Sequence, residues 1–171
     1  ELELLVRMQE IDDEMLRAQG HEGLADVAEI GTGVLDPAAE RLEAALGNGE
    51  DFDIDIFYSP EDTALETAGG IANALPLLGK HAFAVINADV FCDYDFRDLH
   101  AETVMLQDDP VRDCHLVLVD NPEHHRAGDF VLRNGVVVPE GSPRLTFSGI
   151  GIYRPEFFYT LPRGVKAPLA P

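Results

Sequence analysis

The feature that most constrains the fold is a short apolar segment, Ala82-Phe-Ala-Val-Ile-Asn-Ala-Asp-Val90, which has an acidic residue near its end. An uninterrupted apolar run of this length predicts a parallel β-strand that is buried on both faces. In open α/β sheets, ligands bind in the crevice outside the carboxyl ends of the strands. The segment therefore predicts that Asp89, with Asn87 two residues before it, lies in a ligand cleft at one edge of a sheet.

Two adjacent glycines, Gly69 and Gly70, lie within a segment of helical composition from Leu65 to Leu78. Glycine costs about 1 kcal/mol relative to alanine inside a helix, so a pair of glycines requires a reason. Two interpretations remain open: a ligand approaches the backbone closely, or the helix packs tightly on the sheet. Glu66 either contacts a nucleobase or ribose, or interacts favourably with the positive amino-terminal end of the helix.

Several side chains after the apolar segment could bind a metal ion. Asp89 is the best candidate, because Mg²⁺ takes oxygen ligands and needs only one or two carboxylates plus substrate phosphates. The alternative is that Asp89 caps the next turn, and for Asp93 and Asp95 the alternative is a capping or surface role. His124 and His125 are adjacent and point in different directions, which disfavours a metal pair. They either shape a substrate pocket or are simply exposed.

The hydrophobic pattern predicts strands that alternate with helices. This order, with one inserted hairpin at residues 129–138 around Asn134-Gly135, predicts a single three-layer α/β domain over residues 1–171 with a mixed, mainly parallel sheet. The predicted strands are Asp26–Val34, Phe52–Tyr58, Ala82–Asn87, His115–Asp120 and Leu145–Tyr153, and the predicted helices are Pro37–Leu46, Leu65–Leu78 and a short helix from Pro155.

The first 22 residues are predicted to form an amphipathic helix from Glu1 to Gln19 that ends near Gly20 or Gly23. The apolar residues that recur at three- and four-residue intervals are Leu4, Leu5, Met8, Ile11, Met15 and Leu16. This helix is expected to pack on the sheet, and a contact in a homodimer is the second interpretation of the same apolar face.

Composition excludes several classes of partner. With 12 Lys and Arg against 32 Asp and Glu, the net charge of −20 disfavours nucleic acid and anionic membranes as partners. No segment reaches the roughly 20 apolar residues of a membrane span. The two separated cysteines, Cys92 and Cys114, indicate a reducing cytoplasm and no disulfide framework. Because the chain begins without Met and ends on Ala-Pro-Leu-Ala-Pro, we expect it to be truncated at one or both ends.

An ordered series of motifs between about Ala39 and Phe158 resembles the sugar-1-phosphate nucleotidyltransferases. Each motif is short, and the specificity lies in their order along the chain. The motifs are Tyr58-Ser-Pro-Glu, Leu65-Glu-Thr-Ala-Gly-Gly-Ile, Ala74-Leu-Pro-Leu-Leu-Gly, Asn87-Ala-Asp-Val, Asp93-Tyr-Asp-Phe, His115-Leu-Val-Leu-Val-Asp-Asn-Pro, His124-His, Gly128-Asp-Phe and Leu145-Thr-Phe-Ser-Gly-Ile.

The resemblance implies a Rossmann-like nucleotidyltransferase domain. Its reaction transfers a nucleotidyl group from a nucleoside triphosphate, with UTP preferred, to a sugar 1-phosphate, with N-acetylmuramate 1-phosphate favoured, and releases pyrophosphate. This implies a cytoplasmic enzyme of cell-wall (peptidoglycan) recycling, with Asp89 as catalytic residue and Mg²⁺ ligand. The implied nucleotide-binding residues are Glu66, Thr67, Gly69, Gly70 and Asn87. The implied sugar-binding residues are Asn121, Gly128, Asp129, Ser148 and Gly149.

The sequence also departs from the family pattern. Before Gly23, no segment matches the glycine-rich loop with Arg and Lys that wraps the triphosphate, and the second metal-binding Asp would lie beyond Pro171. We therefore expect impaired turnover from this chain. Two alternative functions remain: a non-catalytic nucleotide-sugar-binding module, and an enzyme like a mannose-1-phosphate guanylyltransferase. A glycosyltransferase is disfavoured because no paired Asp-x-Asp surrounds Asp89.

Overall fold

The computed structural model describes residues 2–7, 27–32, 37–52, 54–61, 63–87 and 90–169. Two single-turn 3-10 helices, Glu50–Phe52 and Pro155–Phe158, accompany the longer elements. In chain order these elements are β1 Leu2–Arg7, β2 Val27–Thr32, α1 Pro37–Leu46, β3 Asp55–Pro60, α2 Glu66–Leu78, β4 Phe83–Asn87, α3 Phe96–Asp108, β5 Cys114–Val119, β6 Val131–Arg133, β7 Val136–Val138 and β8 Thr146–Tyr153.

Six strands form one sheet in the order β3-β2-β1-β4-β8-β5. β2 and β3 pair in parallel, whereas β1 pairs antiparallel with β2 and β4, and β8 pairs antiparallel with β4 and β5. It follows that β2, β3, β4 and β5 run in one direction, while β1 and β8 run in the other. The carboxyl ends of four strands therefore share one edge of the sheet, which we call the carboxyl edge.

β4 is not the parallel strand that its apolar sequence predicted, because both of its neighbours run antiparallel to it. Phe83, Ala84 and Val85 are buried, so the apolar run reflects the strand's central position between two helical layers. The prediction of a mainly parallel sheet is wrong for neighbouring strands, since among the described strands of this sheet only β2 and β3 pair in parallel. In a weaker sense the prediction holds, because β2, β3, β4 and β5 all run in the same direction. The predicted Rossmann-like α/β class is confirmed.

Two helices cover opposite faces of the sheet and make the three layers. Alternate residues of a strand point to opposite faces. Phe83 and Val85 belong to the core cluster that includes the buried side of α2, whereas Ala84 belongs to the cluster that includes the buried side of α3. In the α2 layer, the rings of Phe83, Tyr153 and Phe158 pack with centroids 5.5–6.5 Å apart.

The amino-terminal helix predicted for residues 1–22 is contradicted where the structure describes that segment. Residues 2–7 form β1, which pairs with β2 and β4 over most of its length. Backbone pairing on both sides outweighs the local helical propensity of this short segment, because propensity is a weak prior that tertiary contacts override. Residues 8–26 lie outside the described residues. The homodimer contact that was predicted for the apolar face of this helix stays a prediction.

The predicted strand Phe52–Tyr58 lies slightly further along the chain in the structure, where it is β3, Asp55–Pro60. Phe52 closes a 3-10 helix whose geometry is set by Gly49, since the carbonyl of Gly49 accepts hydrogen bonds from the amides of Phe52 and Ile54. The predicted alternation remains in β3, where Ile56 is buried and Phe57 is exposed.

β6 and β7 form the hairpin expected around Asn134-Gly135. Both turn residues have positive φ, 54° and 77°. Turns of this kind match the twist of the two strands that they join, which is why the Asn-Gly pair is so strong a hairpin signal.

Candidate functional site

The carboxyl edge brings together the candidate residues of β4, of β8 and of the loop after β5. Strand register places Asn87 opposite Glu3, Glu3 opposite Gly31, and Gly31 opposite Ser59, so these four positions form one row across the sheet. Val119 of β5 pairs with Thr146 at the start of β8, so the loop after β5 begins at the same edge.

Asn87 and Gly149 are in direct contact at this edge. Gly149 has a φ of +81°, and a Cβ added to it would lie 2.9 Å from both Cγ and Nδ2 of Asn87. Glycine at position 149 therefore provides the space that the amide of Asn87 occupies. Ser148 is half-buried, and its Oγ accepts a hydrogen bond of 3.2 Å from the amide of Ile150. The structure thus brings together two predicted sugar residues, Ser148 and Gly149, and one predicted nucleotide residue.

Asp89, the predicted catalytic residue and Mg²⁺ ligand, lies outside the described residues. The two later aspartates have other roles in the structure. Asp95 is the N-cap of α3, where its carboxylate accepts hydrogen bonds from the amide and guanidinium of Arg97. These bonds lower the pKa of Asp95 to about 2. Asp93 is exposed, and the described part of the chain contains no cluster of three or more potential metal-binding side chains.

The start of α2 has an unusual backbone. Glu66 is the first residue of the helix and has a φ of +59°, a conformation that is rare for residues other than glycine. Its carboxylate lies 2.8 Å from Nζ of Lys166, and both groups are partly exposed. The amide of Leu65 donates a 3.0 Å hydrogen bond to Oε2 of Glu61. Burial raises the pKa of Glu61, and the hydrogen bond from Leu65 opposes that rise.

The segment from Val165 to Ala167, which we call the strap, crosses the first turn of α2. The amide of Gly69 donates to the carbonyl of Ala167 at 3.1 Å, and the amide of Ala167 donates to the carbonyl of Leu65 at 2.9 Å. A Cβ on Gly69 would lie 2.6 Å from the carbonyl oxygen of Val165. The close backbone approach at Gly69 is therefore made by the protein itself, an arrangement that neither interpretation of the sequence included.

The other predicted nucleotide residues lie around this turn. Gly70 is buried and Thr67 is half-buried. Together with Glu66, they place polar backbone and side-chain groups at the amino terminus of α2, a position where the helix dipole favours negatively charged ligands. This group and Asn87 lie on different elements of the fold, α2 and β4.

Asn121 and Gly128 bind the loop after β5 to the start of β8. Nδ2 of Asn121 donates to the carbonyls of Arg126 and Arg144, at 3.1 and 2.9 Å, while its Oδ1 accepts from Oγ1 of Thr146 at 2.8 Å. Gly128 has a φ of +64°, and a Cβ there would lie 2.7 Å from Oδ1 of Asn121. In this structure both predicted sugar residues shape the loop.

Asp129 is half-buried and its carboxylate is engaged on both oxygens. Oδ2 accepts a 2.8 Å hydrogen bond from the amide of Phe147, and Oδ1 lies 2.9 Å from Nε2 of His125. The backbone amide of Asp129 donates to the carbonyl of Leu145. The predicted sugar residue Asp129 therefore holds an imidazole ring in place, and His125 is the residue of this pair that is available to a ligand.

Two residues at the site were missed by the sequence reasoning. Glu61 has a weak local signal, an acidic side chain just before a helix, which is typical of capping. Lys166 has no local signal, because its partner Glu66 is 100 residues away along the chain. Only tertiary structure could have identified the Lys166–Glu66 ion pair.

A separate apolar cavity of about 270 Å³ lies between β5, β8 and the β6–β7 hairpin. Its lining includes Leu116, Phe130, Phe147 and Phe157, along with Cys114, whose thiol pKa is raised by burial and by the nearby Asp113. Such a lining offers little to a phosphate group. None of the helices within the described ranges is long and apolar enough to cross a bilayer.

Residues 14–136 match the protein family described as Nucleotidyl transferase. N-acetylmuramate alpha-1-phosphate uridylyltransferase of Neisseria meningitidis serogroup B (strain ATCC BAA-335 / MC58) is 48% identical over 135 residues, which cover 77% of this chain and 58% of that protein. Mannose-1-phosphate guanyltransferase of Hypocrea jecorina is 44% identical over 63 residues, which cover 35% of this chain and 17% of that protein.

Among solved structures, HddC from Yersinia pseudotuberculosis is similar with a TM-score of 0.58 and 20% sequence identity, over 89% of this chain and 64% of that chain. At this identity the similarity shows the fold alone. The chain spans less than two thirds of the length of each of these similar proteins.

Proposed function

The chain belongs to the nucleotidyl transferase family, and from this premise we propose that it transfers a nucleotidyl group from a nucleoside triphosphate to a sugar 1-phosphate. A phosphate oxygen of the sugar 1-phosphate forms a bond to the α-phosphorus, the bond from that phosphorus to the bridging oxygen breaks, and pyrophosphate leaves. The observation that supports this best is the contact of Asn87 with Gly149 at the carboxyl edge, beside the loop that Asn121 anchors.

We propose UTP as the donor and N-acetylmuramate 1-phosphate as the acceptor. The support is the relative from Neisseria meningitidis, whose name states both specificities and whose match is long. The mannose-1-phosphate guanyltransferase of Hypocrea jecorina matches over a much shorter part of the chain. On this proposal the protein acts in the cytoplasm in the recycling of peptidoglycan sugars.

The chemistry asks the protein mainly to align the reactants and to neutralise charge, because the acceptor phosphate is itself the nucleophile. In the proposal, Glu66, Thr67, Gly69 and Gly70 form the nucleotide site at the start of α2, with Gly69 acting through the shape of the first turn. Asn87 lies between the two substrates. Asn121, Gly128, Asp129, Ser148 and Gly149 form the sugar side.

Mg²⁺ is the proposed cofactor. The described residues contain no group of three potential ligands, so the ion would be held by Asp89 and by the phosphates of the substrates. One carboxylate with phosphate oxygens is a donor set that suits Mg²⁺, which keeps several of its waters. When bound, the ion neutralises charge on the phosphates.

The test mixes this chain with UTP, Mg²⁺ and N-acetylmuramate 1-phosphate and measures pyrophosphate release. We expect slow but measurable release that Asn87→Ala reduces at least about tenfold, in line with the loss of a positioned polar contact. Asn48→Ala is the control, since Asn48 lies near the start of β3 at the opposite edge of the sheet. Faster release with GTP and mannose 1-phosphate would instead select the guanylyltransferase alternative.

A second candidate is a non-catalytic module that binds a nucleotide sugar. The net charge of −20 favours it, because a triphosphate site needs local positive charge. Calorimetry with UDP-N-acetylmuramate separates the two functions. Binding without pyrophosphate release supports the module, whereas binding with release supports the enzyme, and absence of binding contradicts both.

A further inference from the structure

We propose that His125 and Arg126 recognise a carboxylate on the sugar and so select an acidic sugar, with Asp129 as the positioning residue of His125. This inference rests on the proposed function, because it assigns a role within the acceptor side of that reaction. It adds to that function the residues that decide between acidic and neutral sugars.

The imidazole of His125 is held in a fixed orientation by two linked hydrogen bonds. Nε2 of His125 lies 2.9 Å from Asp129 Oδ1, and the other oxygen of Asp129 accepts from the amide of Phe147 at 2.8 Å. An ionised carboxylate can only accept, so the hydrogen of the first bond is assigned to Nε2. The nitrogen that remains for a ligand is Nδ1, for which no polar partner is found within the described residues.

The position of the ring is set by β8. Phe147, whose amide anchors Asp129, is two residues before Gly149, and Gly149 contacts Asn87. The loop of His125 is attached to the same strand by the hydrogen bonds of Asn121 to Arg144 and Thr146. The ring is therefore held beside the carboxyl edge by the sheet, although it belongs to a loop and is 40% exposed.

Positive groups are scarce in this chain, so their positions are informative. Arg97 and Arg112 bind aspartates, and Arg154 binds backbone carbonyls. Arg126 directly follows His125 and is exposed, and in the described part of the chain its guanidinium has no polar partner. A guanidinium binds carboxylates through two parallel hydrogen bonds.

The acidic groups on the same loop define the kind of recognition. Asp120 and Glu123 are both exposed, so the loop has no excess of positive charge that would attract anions at a distance. Selection must come from directed donors, which are the guanidinium of Arg126 and Nδ1 of His125, a nitrogen that donates to a carboxylate only when both ring nitrogens carry hydrogen. A neutral sugar such as N-acetylglucosamine offers hydroxyl and acetamido groups but no charged group that needs these donors. N-acetylmuramate differs from N-acetylglucosamine by a lactyl ether that ends in a carboxylate, and this group fits them.

The experiment measures the affinities of the full chain for UDP-N-acetylmuramate and UDP-N-acetylglucosamine by calorimetry. These two ligands share the nucleotide and the sugar ring and differ in the lactyl group. We expect the wild-type chain to prefer the acidic ligand by at least about tenfold, the range of one or two charge-assisted hydrogen bonds. His125→Gln and Arg126→Gln should each remove most of that preference and leave the affinity for UDP-N-acetylglucosamine unchanged.

His124→Gln is the matched control, because His124 is the adjacent, exposed histidine and makes no polar side-chain contact within the described residues. It should keep the preference in full. Asp129→Asn keeps an acceptor for the amide of Phe147 but removes the carboxylate from His125, and we expect an intermediate loss. Unchanged affinity for UDP-N-acetylglucosamine shows that His124→Gln, His125→Gln and Arg126→Gln are folded, and a cooperative urea transition shows the same for Asp129→Asn.

The possible failures are distinguishable. If neither nucleotide sugar binds to the wild-type chain, the proposed function fails, and this inference fails with it. If the preference survives in His125→Gln and Arg126→Gln, this inference alone is overturned and the proposed function stands. If both ligands bind equally to the wild-type chain, this inference and the proposed choice of acceptor both fail, and only the proposed nucleotidyl transfer stands.

Discussion

At the residue scale, the site depends on glycines that make space for polar side chains. Gly149 accommodates the amide of Asn87, and Gly128 accommodates the amide of Asn121. In each case the glycine also has a positive φ, so any other residue would meet both backbone strain and a collision. The resemblance predicted Gly149, Gly128 and Asn121 as sugar-binding and Asn87 as nucleotide-binding, but the sequence could not show which partners they face.

Gly149→Ala is predicted to lower the free energy of unfolding by about 2–4 kcal/mol, because a positive φ costs roughly 1–2 kcal/mol in alanine and overpacking adds a similar amount. Gly135→Ala is the matched control: Gly135 has a φ of +77° but open space around its Cβ position. It should cost about 1–2 kcal/mol. Urea denaturation measures both.

A double variant tests the cause. Asn87→Ala removes two of the three atoms that the new Cβ would meet, so Asn87→Ala combined with Gly149→Ala should be more stable than the sum of the single changes predicts. Simple additivity of the two changes would contradict the contact.

At the scale of elements, residues close in sequence determine where two of the helices begin. α1 begins at Pro37, which is favoured at the first helical position. α3 begins after Asp95, whose side chain accepts a hydrogen bond from the amide of Arg97 as an N-cap does. The hairpin turn at Asn134-Gly135 is a local signal of the same kind. The start of α1 and the hairpin were predicted from sequence because the atoms that determine them are close along the chain, whereas α3 was not among the predicted helices.

The cap of α3 gives a prediction on pH dependence. Hydrogen bonds from Arg97 lower the pKa of Asp95 from its ordinary value of 3.8 to about 2. A carboxyl group whose pKa is lower in the folded state stabilises the protein above its unfolded pKa, and this contribution is lost as the pH falls through the folded pKa. The contribution of Asp95 is therefore expected to be complete above about pH 4 and to disappear between 3.8 and about 2.

Asp95→Asn keeps an acceptor for the cap and removes the charge, whereas Asp95→Ala removes both. We expect the order of Tm at neutral pH to be wild type, then Asp95→Asn, then Asp95→Ala. The difference between wild type and Asp95→Asn should vanish as the pH approaches 2, measured by urea midpoints at successive pH values. The same pH dependence in wild type and Asp95→Asn would refute the assignment. Asp93→Asn, at a nearby exposed position, is the control.

At the scale of the whole molecule, negative charge dominates. With a net charge of −20 on 171 residues, mutual repulsion of exposed carboxylates opposes the compact state. It also opposes the approach of a triphosphate, so the few directed donors near the carboxyl edge become more important to the proposed function. Lys166, which belongs to the strap, forms an ion pair with Glu66 and so places a positive charge at the start of α2.

Salt should therefore stabilise the chain. Raising the ionic strength from about 0.01 M to about 0.1 M shortens the screening length from about 30 to about 10 Å, which weakens repulsion between separated carboxylates more than it weakens adjacent pairs. We expect Tm to rise by several degrees in a thermal melt, and equally in NaCl and KCl. A fall in Tm would mean that attractive pairs outweigh repulsion at the surface.

The sequence by itself determined the α/β class and the positions of α1, α2 and the hairpin, and its resemblance to a known family supplied the candidate site residues as a prediction. These features follow from periodicity, capping and turn residues, and a series of motifs that act over a few positions. Tertiary structure alone decided that β4 has antiparallel neighbours, that residues 2–7 form a strand, and that the strap covers Gly69.

The physical reason is the range of the interactions involved. Strand direction and strap position depend on hydrogen bonds between segments that are tens of residues apart, such as Leu65 with Ala167. Burial makes a central strand apolar whichever way its neighbours run, so the pattern of β4 contained no information on direction. For the same reason the sequence could not show that Asp129 orients the ring of His125, because this arrangement depends on the hydrogen bond from the amide of Phe147 to Asp129.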